Sequence, residues 1–370
     1  MFIGRERELG TLEDKYASGK FEFVGLYGRR RVGKTALLGE FAKDKPCIFF
    51  TAIEDDPQAN LRLLSQAIFL LDNPDSDPAL APVYGDYVAA VDAVFALAQR
   101  RRVILVIDEF PYVARTYPAF PSILQAAIDR NKDDSRLFLI LCGSSLSFMR
   151  EQLMGKQSPL YGRKTGQIEL RPFDFFESRR FFPGASFETS LALYSMVGGI
   201  PLYLQQLDPS KSTEENVAAA FLDASSILYD EPANLLKQEV SKAATYNAVI
   251  SAVAGGSSQH NEIATQAGIE SAALDYYLKE LVRLDLLEKE LPITPGGRGT
   301  WRITDHLFRF WYRYVRSRQP MVERGLGARA AAWIVDALPE YVGFVFEEAC
   351  RVWLWRAYAG GTCIRSIIKL

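Results

Sequence analysis

Gly28-Arg29-Arg30-Arg31-Val32-Gly33-Lys34-Thr35 fits the pattern G-x-x-x-x-G-K-[ST] of a phosphate-binding loop at every fixed position. Each fixed residue type has a task. The glycines let the backbone curl so that successive N–H groups converge on phosphate oxygens. Lys34 is expected to reach the β- and γ-phosphates of ATP, and the Thr35 hydroxyl to ligate Mg²⁺. A helix that follows directs its positive dipole end at the same anion. The expected nucleotide contacts run from Gly28 through Arg29, Arg30, Arg31, Val32, Gly33, Lys34 and Thr35 to Ala36. Three consecutive arginines add positive charge around a tetra-anionic ligand, and some of them must face solvent or an acidic partner.

The flanks supply the context this chemistry needs. Phe21–Tyr27 is an apolar, aromatic strand candidate, and Ala36–Ala42 a helix candidate. Further apolar runs at Cys47–Ala52, Arg102–Ile107 and Leu137–Cys142 alternate with helical stretches. The pattern predicts an α/β fold with a parallel P-loop NTPase sheet. Asn73–Pro82, rich in proline, aspartate and asparagine, reads as a loop between helices. Near Pro172 the alternation stops and the chain becomes mostly helical, broken at Gly198-Gly199-Ile200-Pro201 and Asp208-Pro209.

A second half of the site is expected at Val103-Ile-Leu-Val-Ile-Asp108-Glu109. A buried strand ending in two carboxylates suits a metal-assisted ATPase: Asp108 would orient the Mg²⁺ shell and Glu109 would polarise the attacking water. Alternatively, it is an ordinary strand with an acidic end. Ser144, at the end of the Leu137–Cys142 run, is placed beside the nucleotide crevice, where small polar residues collect. Ser144 or Ser145 is expected either to sense the γ-phosphate or to cap the next helix. Arg163, after a glycine turn, is a candidate γ-phosphate contact in its own or a neighbouring subunit, or else a solvated loop arginine.

Composition narrows the function classes. The 370 residues predict two or three domains. A net charge of −2 predicts no general attraction to nucleic acid or anionic membrane. Neither a signal peptide nor a membrane span is legible, and the four scattered cysteines read as reduced, mostly buried side chains in a cytoplasmic protein. His260 and His306 have no ligand-spaced neighbours, which argues against a zinc site.

Residues 241–304 read as a winged helix: helices at Tyr246–Ala254, Asn261–Ala267 and Ser271–Leu284, then strands at Leu286–Leu291 and Thr300–Thr304 around the loop Thr294–Gly299. Asp305 is placed to cap the next helix. From Glu270 to Arg283 the bases Lys279 and Arg283 are outnumbered by Glu270, Asp275 and Glu280. DNA affinity needs clustered Lys and Arg, so a protein-docking or autoinhibitory role is favoured over DNA reading. Arg309, Arg313, Arg316 and Arg318 either form a basic face or are the outer side of an amphipathic helix whose apolar stripe is Phe308, Trp311, Tyr312 and Val315.

Together the motifs resemble the prokaryotic STAND-type ATPases often called archaeal-type AAA ATPases. The resemblance is carried by Phe2-Ile-Gly-Arg-Glu-Arg-Glu-Leu9, Tyr27–Thr35, Asp108-Glu-Phe-Pro-Tyr112, Leu160-Tyr-Gly-Arg163, Gly198–Pro201 and Arg302–Tyr312. It implies an additional-strand P-loop core, a helical lid, a winged helix-turn-helix and a restriction-endonuclease-like C-terminal domain. It also implies that Gly4 and Arg5 lie near the adenine and that Pro201 belongs to the lid over the nucleotide. The expected domains are 1–185 (ATPase core), 186–240 (lid), 241–305 (winged helix) and 306–370, a truncated nuclease-like segment. Tyr341–Glu348 resembles that domain's first helix, but Glu347 and Glu348 have no evident metal-binding partners, so no nuclease activity is expected. The function implied is that of a slow, Mg-dependent ATPase cycling between ATP and ADP as a conformational switch, with a protein partner or self-association. ATP-controlled DNA binding is the alternative.

Overall fold

A computed structural model describes residues 2–291 and 299–359. Most of the expected wing loop, Thr294–Arg298, and the segment 360–370 lie outside the described residues. The chain divides into two compact units, Met1–Arg171 and Pro172–Leu370. The division falls where strand–helix alternation stops, before residue 185, because Phe173 and Phe175 pack in the core of the second unit.

The first unit is built on five parallel strands: β1 Glu22–Tyr27, β2 Cys47–Thr51, β3 Val103–Asp108, β4 Leu137–Gly143 and β5 Gly166–Glu169. Their order is β2-β3-β4-β1-β5. β3 and β4 are buried at every position, which explains their unbroken apolar runs. Alternate residues feed two cores. Val24, Leu26, Ile104, Val106, Phe138 and Ile140 meet the helices Glu6–Ala17 and Lys34–Ala42. Phe23, Tyr27, Leu105, Ile107, Leu139 and Leu141 meet the helices on the other face, among them Tyr87–Arg100 and Phe120–Asn131. The result is a three-layer α/β/α sandwich.

Strand order positions the chemistry. β4 lies between β1, which leads into the phosphate loop, and β3, which ends in Asp108. This is the additional strand that the resemblance implied. β5 has no apolar run to announce it. It pairs with the outer edge of β1, Val24 opposite Gly166, and Leu170 continues the ladder by donating its N–H to Tyr27 O at 2.7 Å.

Among its described residues the second unit is helical apart from one antiparallel pair. Helices Ala243–Ala254, His260–Ala267 and Ser271–Arg283 precede β6 Leu287–Glu290 and β7 Thr300–Ile303. Gly268 ends the middle helix at φ 65, a left-handed cap that glycine adopts without penalty. Asp305 caps the next helix, accepting from Phe308 N–H at 2.7 Å. Phe308, Trp311, Tyr312 and Val315 are buried, as the apolar stripe predicts, and Trp311–Val315 forms a π-helical turn.

The arginines of that stretch do not form an outward basic face. Arg309 is largely buried against Glu348, 3.1 Å away. Arg316 donates to Asn247 O and Ser251 Oγ, Arg318 donates to Tyr314 O, and Arg313 pairs with Glu340 at 3.6 Å.

Candidate nucleotide-binding site

The loop Gly28–Thr35 links the end of β1 to the helix Lys34–Ala42, as a phosphate loop requires. Gly28 is needed for space: a Cβ there would lie 2.3 Å from Leu170 O. Gly33 is needed for conformation, with φ 95 immediately before the helix. Arg31 adopts φ 67, so two residues of the turn use the left-handed region. Val32 pins the loop by burying its side chain with Leu37 and Leu38. Arg30 Nη2 donates to Tyr112 Oη at 3.4 Å, and Ala36 is exposed in the first helical turn.

Lys34 is buried, with its Nζ donating to Gly28 O at 2.9 Å and Arg29 O at 3.0 Å. Burial pushes its pKa down, while the nearby Glu109 and Asp108 carboxylates push it up. Thr35 Oγ1 donates to Asp108 Oδ2 at 2.8 Å, joining positions 73 residues apart. Mg²⁺ takes oxygen ligands, often only one or two from protein, and this hydroxyl–carboxylate pair fits that requirement. Asp108 Oδ1 also accepts from the Glu109 backbone N–H at 3.0 Å.

Glu109 sits at φ 49, ψ 43, before the helix Phe110–Thr116. Its Oε2 accepts from Ser144 Oγ at 3.0 Å and from Ser144 N–H at 3.4 Å. Ser144 therefore holds the second carboxylate, and the cap position of the next helix falls to Ser145, without a side-chain cap bond. Cys142, fully buried on β4, also lies beside this cluster. Burial raises its thiol pKa well above the usual range, and the adjacent Asp108 raises it further. Nothing in the sequence around Cys142 distinguishes it from a core residue. Its proximity to the carboxylates follows from β4 lying between β1 and β3.

Arg163 lies near the amino-terminal end of β1, and Gly28 follows its carboxyl end. Thr165, two residues on, donates its N–H to Phe23 O at the start of β1. The six residues of β1 span roughly 20 Å. Arg163 itself forms a two-point pair with Asp129, at 2.9 and 2.7 Å. Within one chain it therefore does not reach the phosphate loop, which corrects the own-subunit form of that expectation. Gly4 and Arg5 have left-handed φ values of 72 and 69. The buried Arg5 donates Nη2 to Val32 O at 3.1 Å, fastening the N-terminal turn to the phosphate loop. Pro201 belongs to the second unit and opens the short helix Pro201–Leu204.

Glu348 sits among basic side chains. Its carboxylate meets His306 Nε2 at 3.0 Å, Arg309 at 3.1 Å and Arg302 at 3.3 Å. Burial alone would raise its pKa, but His306 and Arg309 bring it down to about 2. Among the described residues no three His, Cys, Asp or Glu side chains are grouped to hold a metal ion. No described helix is long and apolar enough to cross a membrane.

Comparison with known proteins agrees with this geometry. A family model described as an ATPase domain predominantly from Archaea matches residues 2–207. A model of archaeal and bacterial proteins of unknown function matches residues 311–369. An uncharacterized protein of Methanocaldococcus jannaschii is 31% identical over 365 residues, covering 96% of this chain and 77% of its own length. An uncharacterized ATP-binding protein of that organism is 49% identical over 45 residues, 12% of this chain and 76% of its own. Among solved structures, a Walker-type ATPase of Pyrococcus abyssi superposes with a TM-score of 0.65 at 20% identity, over 84% of this chain and 96% of its own. The Aeropyrum pernix ORC2 protein, in ADPNP–ADP complexes, gives 0.53 at 14% identity, over 87% and 96%. At these identities the structural likeness shows the fold. The ATPase-domain model covers more than half of the chain and the first relative matches nearly all of it, so the chain belongs to the family of ATPase domains found predominantly in Archaea.

Proposed function

We propose that this protein binds Mg-ATP at Gly28–Thr35 and hydrolyses it slowly, as a nucleotide-driven switch. The observation that carries the reading is the Thr35–Asp108 hydrogen bond, which joins the phosphate loop to the acidic strand end. In this reading the loop N–H groups and Lys34 hold the phosphates, and Thr35 with Asp108 would hold Mg²⁺. When bound, the metal would neutralise charge on the β- and γ-phosphate oxygens. Glu109 takes a proton from the attacking water, and Ser144 fixes the direction of its carboxylate. Arg5 keeps the N-terminal turn on the loop, which suits an adenine-side role for Gly4 and Arg5.

The output is proposed to be protein docking through a winged-helix module made of the helices Ala243–Arg283 and the β6–β7 pair. The third helix is a poor phosphate binder because Lys279 and Arg283 are outnumbered by Glu270, Asp275 and Glu280, and the exposed Tyr276 suits a protein surface better. Calorimetric titration with Mg-ATP tests the reading. Lys34→Ala should weaken binding or turnover by at least about a hundredfold, as expected for loss of a preorganised charge. Unchanged affinity and turnover in that variant refute the assignment.

A further inference from the structure

The helix Gly327–Ala359 has 33 residues, about 50 Å at 1.5 Å per residue. One line along it, including Ile334, Leu338, Tyr341, Val345 and Ala349, is buried in the second unit's core. A second line, stepping alternately by four and three residues from Trp333 to Tyr358, is exposed at every position. Alternating steps of four and three keep a seam facing a partner helix. Arginine and glutamate interrupt this seam, and their positions are the informative feature.

We infer that this second line is a self-association surface on which two copies of the chain pair as antiparallel helices. With the two-fold axis between Val345 and Phe346, Trp333 lies opposite the other copy's Tyr358, and Ala337 opposite its Leu354. The same register sets Glu340 opposite Arg351 and Phe344 opposite Glu347. Symmetry makes every pair twice, so each Glu340 gains an Arg351. These charges are accessible: the Glu340 and Arg351 side chains are 75% and 54% exposed. At present Glu340 has Arg313 at 3.6 Å, and Arg351 has Glu290 at 3.6 Å and Glu347, one turn earlier on the same line, at 4.0 Å. Such rim pairs are worth little and would not hold either charge from a second copy.

Area supports the same occupant. On this line Trp333, Phe344 and Tyr358 are 46%, 51% and 58% exposed, and Trp355, which flanks it four residues after Arg351, is 72% exposed. Rings of this size present roughly 150–250 Å² each. With Leu354, two copies offer about 1,000 Å² of apolar surface. The polar side chains between them raise this into the roughly 1,200–2,000 Å² of a specific interface. A parallel pairing has no such charge match, because like residues would face each other.

Sedimentation velocity of the full chain at micromolar concentration tests the inference, with the parent expected to be dimeric. Glu340→Arg and Arg351→Glu should each put two like-charge pairs into the interface and weaken association by at least about tenfold. Two combinations should restore the dimer: the double variant in one chain, and an equimolar mixture of the two single variants. Unaltered circular dichroism and ATP binding confirm that the substitutions leave the fold intact. A monomeric parent overturns the inference. So does a dimer that ignores both single substitutions, or a double variant that stays monomeric.

Discussion

Glu109 holds its backbone in the left-handed region, φ 49, which is uncommon for a non-glycine residue and persists only where the surroundings over-determine it. Here the surroundings are the end of a fully buried strand on one side and the Phe110–Thr116 helix on the other. The carboxylate is then fixed from β4 by Ser144. Ser144→Ala should lower kcat by about tenfold through loss of orientation while leaving KM for ATP unchanged, and Ser144→Thr should recover most of the rate. A matched fall in ATP affinity would mean that Ser144 contacts the nucleotide directly. The candidate residues Lys34, Thr35, Asp108 and Glu109 could be named from the sequence because the phosphate and metal chemistry proposed for them admits few residue types. The Ser144–Glu109 pairing was not legible. It depends on β4 lying between β1 and β3, and strand order leaves no local mark in the sequence.

At the scale of elements, long apolar runs and helix periodicity announced β1 to β4 and the three helices before the β6–β7 pair. β5 escaped because Gly166–Glu169 is short, mostly polar and only partly buried. Arg309 was expected on an outer face because a helical period reports burial by type, and a buried arginine is uncommon unless paired. Its partner, Glu348, lies 39 residues away on another helix. That cluster makes a pH prediction. The ordinary value for Glu348 is 4.5 and the folded value about 2. The contribution to stability is therefore complete above pH 4.5 and lost as pH falls toward 2. It amounts to an upper bound on the order of 3 kcal/mol. The facing groups are Arg302, His306, Arg309, Tyr194 and Tyr341. Acid unfolding followed by circular dichroism should be less steep over that window in Glu348→Gln than in the parent. Equal acid limbs in the two proteins would show that the carboxylate is not held as described.

For the whole molecule, a net charge of −2 and a third helix with more acidic than basic residues predict weak, sequence-independent DNA binding at physiological salt. Fluorescence anisotropy with duplex DNA checks this, and nanomolar, sequence-selective binding would restore the DNA-reading alternative. The end of strand–helix alternation near Pro172 was visible, but the core was expected to run on to residue 185, and the units divide earlier. The position of the boundary at Arg171–Pro172 depended on where Phe173 and Phe175 pack, which only tertiary structure decides. The central claim is that the two motifs form one hydrolytic site. Steady-state phosphate release, measured alongside ATP affinity for the parent and Glu109→Gln, tests it most directly. The account predicts Mg-dependent turnover by the parent, and in Glu109→Gln unchanged affinity with a rate lower by roughly 10²–10⁴-fold. A Glu109→Gln protein that hydrolyses ATP at the parental rate would contradict it.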